Sequence, residues 1–305
     1  MNVIETHKLT KYYGKDRGIL DLDLEIQEGE IFGFIGPNGA GKSTAIRTLL
    51  GLIFPTSGSG TIFGKDIVKE SKEIKRHIGF MPSDVNYYEK MDVAELLHYS
   101  ADFYGVDCSD RIAELSEVFA LDLDRKILDL SQGNKKKISI LQSLIHRPRL
   151  LILDEPTSGL DPLMQNKFFD ILRQENRDGT TVFFSSHTLS EVQKMCRRVG
   201  IIKQGRIIAV EDIETLRRKQ LRKVEVEFVS ADVRDRFAIE GMISPRKHNH
   251  ALNFMYAGRI DELIRVLAGQ EVADLLVEEP TLEEIFMHYY DDEENPDGGK
   301  EGPVQ

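Results

Sequence analysis

A short glycine-rich segment constrains this chain more than any other feature. Residues Gly36–Thr44 read GPNGAGKST and follow the apolar run Ile31–Ile35 directly. They match the P-loop pattern G-x-x-x-x-G-K-[ST], in which glycines let successive backbone N–H groups surround a phosphate. The order of apolar run, loop and helical stretch Ala45–Leu50 therefore predicts a strand, a phosphate-binding loop and a helix.

The residues at the end of this loop have distinct expected roles. The helix that begins near Lys42 adds its N-terminal partial positive charge to the anion site. In the P-loop pattern Lys42 reaches the β- and γ-phosphates, and the Ser43 hydroxyl holds Mg²⁺. The sequence thus predicts a nucleotide site, without saying what the nucleotide is used for.

Two further apolar runs end in polar residues. Leu150–Leu153 is followed by Asp154, and Thr181–Phe184 is followed closely by His187. Continuous apolar runs of this length are typical of strands buried on both faces of a mostly parallel sheet. Ligands bind beyond the carboxyl ends of such strands, so we expect these polar residues near the P-loop.

Two adjacent carboxylates complete the predicted phosphate chemistry. Asp154 is expected to hold Mg²⁺ directly or through water, and Glu155 to orient or deprotonate an attacking water. A strand-end acidic pair that merely faces solvent is the alternative interpretation, and the P-loop makes it the weaker one.

Composition excludes several classes of protein. The net charge of −11, of which the tail 291–305 contributes six carboxylates and one lysine, argues against a general binder of nucleic acid. The two cysteines lack metal-ligand spacing and suit a reducing compartment. No signal peptide and no apolar run of about 18 residues is found, so we expect a cytoplasmic protein or one peripheral to the cytosolic face of the cell membrane.

The order of patterns predicts several parts. Residues 1–215 alternate apolar runs with helical patterns, as in α/β layering, with an inserted helical subdomain at about 83–146. Residues 216–222 form a basic linker, and a different unit covers 223–290. The acidic segment 291–305 is expected to be disordered.

The C-terminal unit reads as strand, helix, strand, strand, helix, strand. This β-α-β-β-α-β order predicts a small ferredoxin-like α+β domain. Thr281–Glu284 has the capping-box pattern and predicts a last helix over Leu282–Tyr290.

Two additional motifs give a family resemblance. Asp154–Asp161 read DEPTSGLD and Leu130–Lys137 read LSQGNKKK. Together with the P-loop, His187 and an aromatic near the N-terminus, they resemble the motif set of the ATPases of ATP-binding cassette (ABC) transporters, over roughly residues 3–213. The resemblance implies an ABC-type nucleotide-binding domain with a mixed sheet core, and hydrolysis of ATP with Mg²⁺.

The resemblance also implies roles for particular residues. Tyr13 stacks on adenine, with Tyr12 as its neighbour and alternative, and His187 bonds the γ-phosphate, so Lys42, Glu155 and His187 form the expected catalytic set. Ser131 and Gly133 contact ATP held by an opposite subunit, and Asp161 links the two sites. The residues expected to wrap the phosphates are Gly36, Asn38, Gly39, Ala40, Gly41, Lys42, Ser43 and Thr44.

The chain contains one P-loop and one copy of the family's signature motif, which is LSQGNKKK here. In the family these two motifs act on ATP from opposite subunits, so a second cassette is implied. The resemblance therefore implies a homodimer or a related heterodimer, together with a separate integral-membrane permease. Residues 83–91 carry Tyr87, Tyr88 and Met91 on a loop expected to be exposed, in the region that receives the permease in this family. Capping of the helical subdomain is an equally good interpretation of these three side chains.

The sequence departs from the family at one important position. Ser83 stands where a glutamine or glutamate usually contacts Mg²⁺ and water, and serine is too short to reach in the same way. Gln132 and Asn134 also replace the usual glycine and glutamine in the signature motif.

The direction of transport rests on the accessory domain. A single cassette with a C-terminal unit of this size resembles the exporters of drugs, antibiotics and antimicrobial peptides, whereas sugar importers carry a larger, strand-rich region. An importer ATPase and a free-standing ATPase that acts as an assembly scaffold remain as alternatives.

Overall fold

The computed structural model describes residues 1–214 and 221–278. They form two compact units, Met1–Glu211 and a second unit from Asp212 onward. The predicted linker 216–222, except its last two residues, lies outside the described residues, as do the predicted helix Leu282–Tyr290 and the tail 291–305.

The first unit is built on two sheets. A six-stranded sheet has the order β10-β9-β3-β8-β7-β6, and a four-stranded sheet has the order β2-β1-β4-β5. The strands are β1 (Asn2–Tyr13), β2 (Asp16–Gln27), β3 (Ile31–Ile35), β4 (Ser57–Ile62), β5 (Lys65–Asp66), β6 (Ile78–Met81), β7 (Leu150–Asp154), β8 (Thr181–Ser186), β9 (Arg198–Lys203) and β10 (Arg206–Asp212).

The helices of this unit surround the sheets. They are α1 (Lys42–Leu49), α2 (Ser71–Lys75), α3 (Val93–Asp102), α4 (Ser109–Phe119), α5 (Gln132–Leu144), α6 (Pro162–Arg177) and α7 (Leu189–Met195). The helix α1 contacts strands of both sheets, and its buried Ala45, Ile46 and Leu49 join the apolar core that the sheets share. The helices α3, α4 and α5 form the expected helical insertion between β6 and β7.

The three apolar runs lie side by side at the centre of the larger sheet. β3 pairs in parallel with β8, and β8 pairs in parallel with β7. Every residue of β7 and β8 is buried, because helices and the second sheet cover both faces. The register places Ile35 beside Ser186 and Asp154 beside Ser185, so all three strands end at one edge.

The second unit has the predicted ferredoxin-like fold. Its elements are β11 (Leu221–Phe228), α8 (Ala231–Arg236), β12 (Met242–His248), β13 (Ala251–Ala257), α9 (Ile260–Leu267) and β14 (Val272–Glu278). The sheet order β12-β13-β11-β14 is antiparallel throughout, and Val224, Phe254 and Leu263 belong to a separate apolar core.

Candidate functional site

The loop before α1 needs glycine at specific positions. Gly39 and Gly41 have φ values of +79° and +111°, a region that favours glycine. A Cβ added to Gly36 would lie 2.4 Å from the carbonyl oxygen of Ile202, and one on Gly41 would lie 2.8 Å from that of Gly18. The backbone therefore closes tightly around the site, and the N-terminus of α1 faces into the loop.

Lys42 is held inside this loop. Its side chain is only 5% exposed, and Nζ donates to the carbonyl oxygens of Gly36 at 2.7 Å and Pro37 at 3.2 Å. Nζ also lies 3.2 Å from Oε1 of Glu155. The Lys42 ammonium group and its carboxylate partner therefore lie at the point where the P-loop pattern expects phosphate oxygens.

Glu155 connects two of the expected catalytic residues. Its other carboxylate oxygen, Oε2, lies 3.2 Å from Nδ1 of His187. The backbone of Glu155 has a φ of +48°, and its N–H donates to the carbonyl and the hydroxyl oxygens of Ser185. The structure thus brings Lys42, Glu155 and His187 together from three different strand ends.

Asp154, the residue before Glu155, lies in a buried environment at the end of β7. It is 2% exposed, and its Oδ1 accepts a hydrogen bond of 2.7 Å from the Ser185 hydroxyl. Ser43, the second residue of α1, is half-buried. In the described part of the chain no group of three or more His, Cys, Asp or Glu side chains could hold a metal ion.

Sequence reasoning missed a carboxylate that supports this edge. Glu191 of α7 accepts hydrogen bonds of 2.7 Å from the hydroxyls of Thr157 and Ser186. The turn after Asp154 and the end of β8 are therefore joined next to His187. Glu191 follows His187 by four residues, and that spacing is the only signal the sequence offers.

Tyr13 lies beside the P-loop. A Cβ on Gly18 would lie 2.8 Å from Cγ2 of Thr44 and 3.2 Å from Cε2 of Tyr13, so both side chains border one small space. Tyr13 is 45% exposed and Tyr12 40% exposed, so exposure alone does not choose between them. The position near Thr44 favours Tyr13.

Ser131 of the LSQGNKKK motif and Asp161 of the DEPTSGLD motif each stand at the beginning of a helix. Ser131 caps α5 by accepting from the N–H of Asn134, and Asp161 caps α6 by accepting from those of Leu163 and Met164. An added Cβ on Gly133 would meet only the Gly159 carbonyl oxygen, at 3.6 Å. The chain's own packing therefore does not require glycine at 133.

The loop after β6 is attached to α5 through its backbone. The ammonium group of Lys136 donates to the Ser83 carbonyl oxygen at 2.9 Å. Lys136 is 4% exposed, and burial lowers its pKa, while Asp84, Asp154 and Glu155 act in the opposite direction. Lys136 lies within the LSQGNKKK motif, but no pattern in the sequence predicts its contact with the backbone of Ser83.

The expectation of an exposed loop at 83–91 is correct only in part. Tyr88 is 67% exposed, but Tyr87 and Met91 are half-buried. The Tyr87 hydroxyl donates to the carbonyl oxygen of Lys135 at 3.2 Å, and burial raises its pKa.

This fold and this edge define a class of protein. A P-loop, a carboxylate pair after a neighbouring strand and a histidine after the strand between them are the parts of an ATPase of the cassette type. Comparison with known families agrees, because the ABC transporter family profile matches residues 19–158.

Curated relatives extend beyond this region. The bacitracin transport ATP-binding protein BcrA of Bacillus licheniformis is 33% identical over 93% of this chain and 96% of its own length. The linearmycin resistance ATP-binding protein LnrL of Bacillus subtilis (strain 168) is 38% identical over 68% of each chain. The dimeric structure of MJ0796, a bacterial ABC transporter cassette, matches with a TM-score of 0.64 and 25% identity, over 69% of this chain and 98% of that one.

The chain belongs to the ATP-binding proteins of ABC transporters, and it is an ATPase that binds ATP. Within residues 1–214 and 221–278, no helix is both long and apolar enough to cross a bilayer.

Proposed function

We propose that this chain is the ATPase subunit of an ABC exporter, which acts on a drug, peptide or other amphiphile through a separate permease. The main support for ATP hydrolysis is a cluster of three side chains. The carboxylate oxygens of Glu155 lie 3.2 Å from Lys42 Nζ and 3.2 Å from His187 Nδ1. Similarity to the bacitracin transport protein over almost the full length, C-terminal unit included, supports export.

The nucleotide would lie along the P-loop. The backbone of Gly36–Thr44 and the N-terminus of α1 would hold the phosphates, and Tyr13 would stack on the adenine. Lys42 would neutralise charge on the β- and γ-phosphates. Its carbonyl contacts with Gly36 and Pro37 show that the ammonium group is already directed into the loop.

Mg²⁺ fits the oxygen groups at this edge. The Ser43 hydroxyl and the buried carboxylate of Asp154 are hard ligands of the kind that Mg²⁺ prefers, and they border the expected phosphate position. Bound there, the ion would neutralise charge on the phosphate oxygens. The Ser83 side chain is the third candidate ligand, and its residue is held through its backbone carbonyl by Lys136.

Glu155 is the proposed general base. Its carboxylate would accept a proton from water as the water oxygen attacks the γ-phosphorus and the bond to the β–γ bridging oxygen breaks, which yields ADP and phosphate. His187, half exposed at the end of β8, would bond the γ-phosphate. Both are positioned by the strand ends rather than by flexible loops.

The second half of the site is proposed to come from another cassette. Ser131 is exposed, and Gly133 has space around its Cα that the chain does not fill, so both can approach a nucleotide on a partner. Asp161 would link the two sites. The dimeric form of the MJ0796 cassette supports this arrangement.

The permease is the other proposed partner. The helical insertion exposes Tyr88, Tyr99 and Phe103 at 67%, 45% and 69%, which suits an apolar contact on the cytosolic face of the cell membrane. We propose no interaction with nucleic acid, in keeping with the negative charge of the chain.

Two measurements test this function. The purified protein is compared with Glu155→Gln by light scattering in ATP and Mg²⁺, where the variant should accumulate as a dimer and hydrolyse ATP about 10² to 10³ times more slowly. Hydrolysis by the variant at the parent rate would refute the role of Glu155.

Export is tested with the permease encoded nearest to this chain. Inside-out vesicles that contain both proteins should accumulate a labelled amphiphilic antibiotic in the presence of ATP, and vesicles with Glu155→Gln should not. Efflux from such vesicles would indicate import. A chain that hydrolyses ATP but never co-purifies with a membrane protein would favour a scaffold.

A further inference from the structure

Lys136 is a buried cation that the proposed mechanism does not use. It lies in the first turns of α5, five residues after the cap Ser131, and only 4% of it is exposed. Lysine is rarely buried unless its charge is partnered, because desolvation of the ammonium group is costly. The hydrogen bonds of Lys136 must therefore compensate for the desolvation of its ammonium group.

Three backbone carbonyl oxygens accept hydrogen bonds from this ammonium group. Nζ donates to the oxygens of Ser83 at 2.9 Å, Pro82 at 3.4 Å and Glu155 at 3.4 Å. An ammonium group has three N–H donors, so the number of acceptors matches. These carbonyls belong to the loop after β6 and to the turn after β7, and Lys136 itself belongs to α5. One side chain thus joins three segments at the edge where ATP binds.

The contact with Glu155 holds a strained backbone. A φ of +48° is uncommon for a residue with a Cβ, and it persists only where the surroundings fix it. Ser185 fixes the N–H of Glu155, and the Glu155 carbonyl oxygen accepts from the Ser158 N–H at 3.3 Å and from Lys136 at 3.4 Å. The direction of the Glu155 carboxylate follows from this backbone conformation.

The loop after β6 has a second attachment to the same helix. Tyr87 donates to the carbonyl of Lys135, one residue before Lys136, and its side chain is half-buried. Two successive residues of α5 therefore hold the loop at Ser83 and at Tyr87. The loop and the start of α5 form one connected piece.

We propose that Lys136 is a positioning residue of the ATPase, which fixes the loop after β6 to the backbone of Glu155 and makes the connection that Ser83 is too short to make. Its role depends on the proposed function, since it acts through Glu155. Removal of the ammonium group leaves ATP binding by the P-loop intact, but lets the carboxylate depart from its working position. Displacements of about 1 Å at a reacting group can cost on the order of 10²-fold in rate.

The test is a double-mutant cycle on ATP hydrolysis. Lys136→Met should lower kcat by about 10- to 100-fold with less than a threefold change in the Kd for ATP, and Lys136→Gln, which keeps an N–H donor, should lose less. In a Glu155→Gln background, single-turnover hydrolysis should fall no further on addition of Lys136→Met, because the residue it positions no longer acts as a base.

A matched control comes from α6. Lys167 donates to the Val118 carbonyl at 3.3 Å and so joins α6 to the end of α4, outside the phosphate site. Lys167→Met should keep kcat within twofold. Thermal unfolding of each variant separates a folding defect from a positioning effect, and Lys136→Gln serves if Lys136→Met does not fold.

The outcomes separate this proposal from the proposed function. If the parent chain hydrolyses ATP and Glu155→Gln does not, the function stands. An unchanged kcat in Lys136→Met, a raised KM with unchanged kcat, or an equal loss in both backgrounds would then overturn the role of Lys136 alone.

Discussion

The strands of the two units differ in how their residues are buried. In the first unit β7 and β8 are buried along their entire length and end in residues that contact one another, such as Asp154 and Ser185. In the second unit β11 alternates, with Val224, Val226 and Phe228 buried and Glu225 and Glu227 exposed between them.

This contrast shows where function can be placed. A sheet covered on both faces leaves only its strand ends available, so polar residues concentrate there and approach one another. A sheet covered on one face disperses its polar residues over the open face. The first unit therefore has a defined site, and changes to it should affect chemistry, whereas changes to the second should affect only its own stability.

The largest effect should follow from removal of the P-loop cation. Lys42→Ala should lower kcat/KM for ATP by about 10² to 10³, because the charge proposed to face the γ-phosphate is lost and Glu155 loses one of its two close partners. Hydrolysis and nucleotide binding are the measurements. Lys69→Ala, at an exposed position, is the control, and hydrogen exchange of residues 221–278 should be unchanged in both variants.

A substitution in the core of the second unit should have the opposite effect, a loss of stability without a loss of ATP turnover. Phe254 is 3% exposed and packs against Phe237, so Phe254→Ala should destabilise this unit by about 3–5 kcal/mol. Limited proteolysis should detect the loss, while ATP turnover stays within twofold of the parent. Val229→Ala, at a residue that is 60% exposed, should cost less than about 0.5 kcal/mol. A large loss of turnover in Phe254→Ala would show that the two units are not functionally separate.

A pH-dependent effect is expected in the first unit. His146 stacks on Tyr104 with ring centroids 3.5 Å apart, and its Nε2–H donates to the Ile78 carbonyl. Burial lowers the pKa of His146 to about 4, and within the described residues its Nδ1 has no partner.

Since the unfolded chain binds this proton more tightly, the contribution of His146 to stability should be complete above about pH 6.5 and should be lost as the pH falls toward 4, by roughly 3 kcal/mol. Unfolding in urea across this range measures it. His146→Gln should flatten the profile, and an equally steep profile in that variant would contradict the assignment.

The smallest effect is expected from removal of the aromatic ring that is proposed to stack on the adenine. Tyr13→Ala should weaken ATP binding by about 1 kcal/mol, or roughly fivefold in Kd, because an aromatic face beside Thr44 is lost. Tyr12→Ala is the matched control and should change the Kd by less than twofold. The reverse result would assign the stacking role to Tyr12.

Local motifs predicted the elements of the site well. The glycines of the P-loop, the apolar runs and the β-α-β-β-α-β order each depend on neighbouring residues, so their structures follow from sequence spacing. Boundaries were less accurate, as in β8, which extends to Ser186 although the apolar run that predicts it ends at Phe184. The exposure of Tyr87 was wrong because its burial depends on α5, 48 residues further along the chain.

The sequence by itself determined that this chain binds ATP with a cassette domain and carries a ferredoxin-like unit, because both conclusions rest on short-range patterns. Only the tertiary structure decided which groups surround Glu155. The contact of Lys136 with the Ser83 and Glu155 carbonyls, and that of Glu191 with Thr157, join residues far apart in the chain. Such contacts satisfy buried polar groups after the sheets and helices have packed, and no local pattern specifies which distant carbonyl a buried lysine will reach.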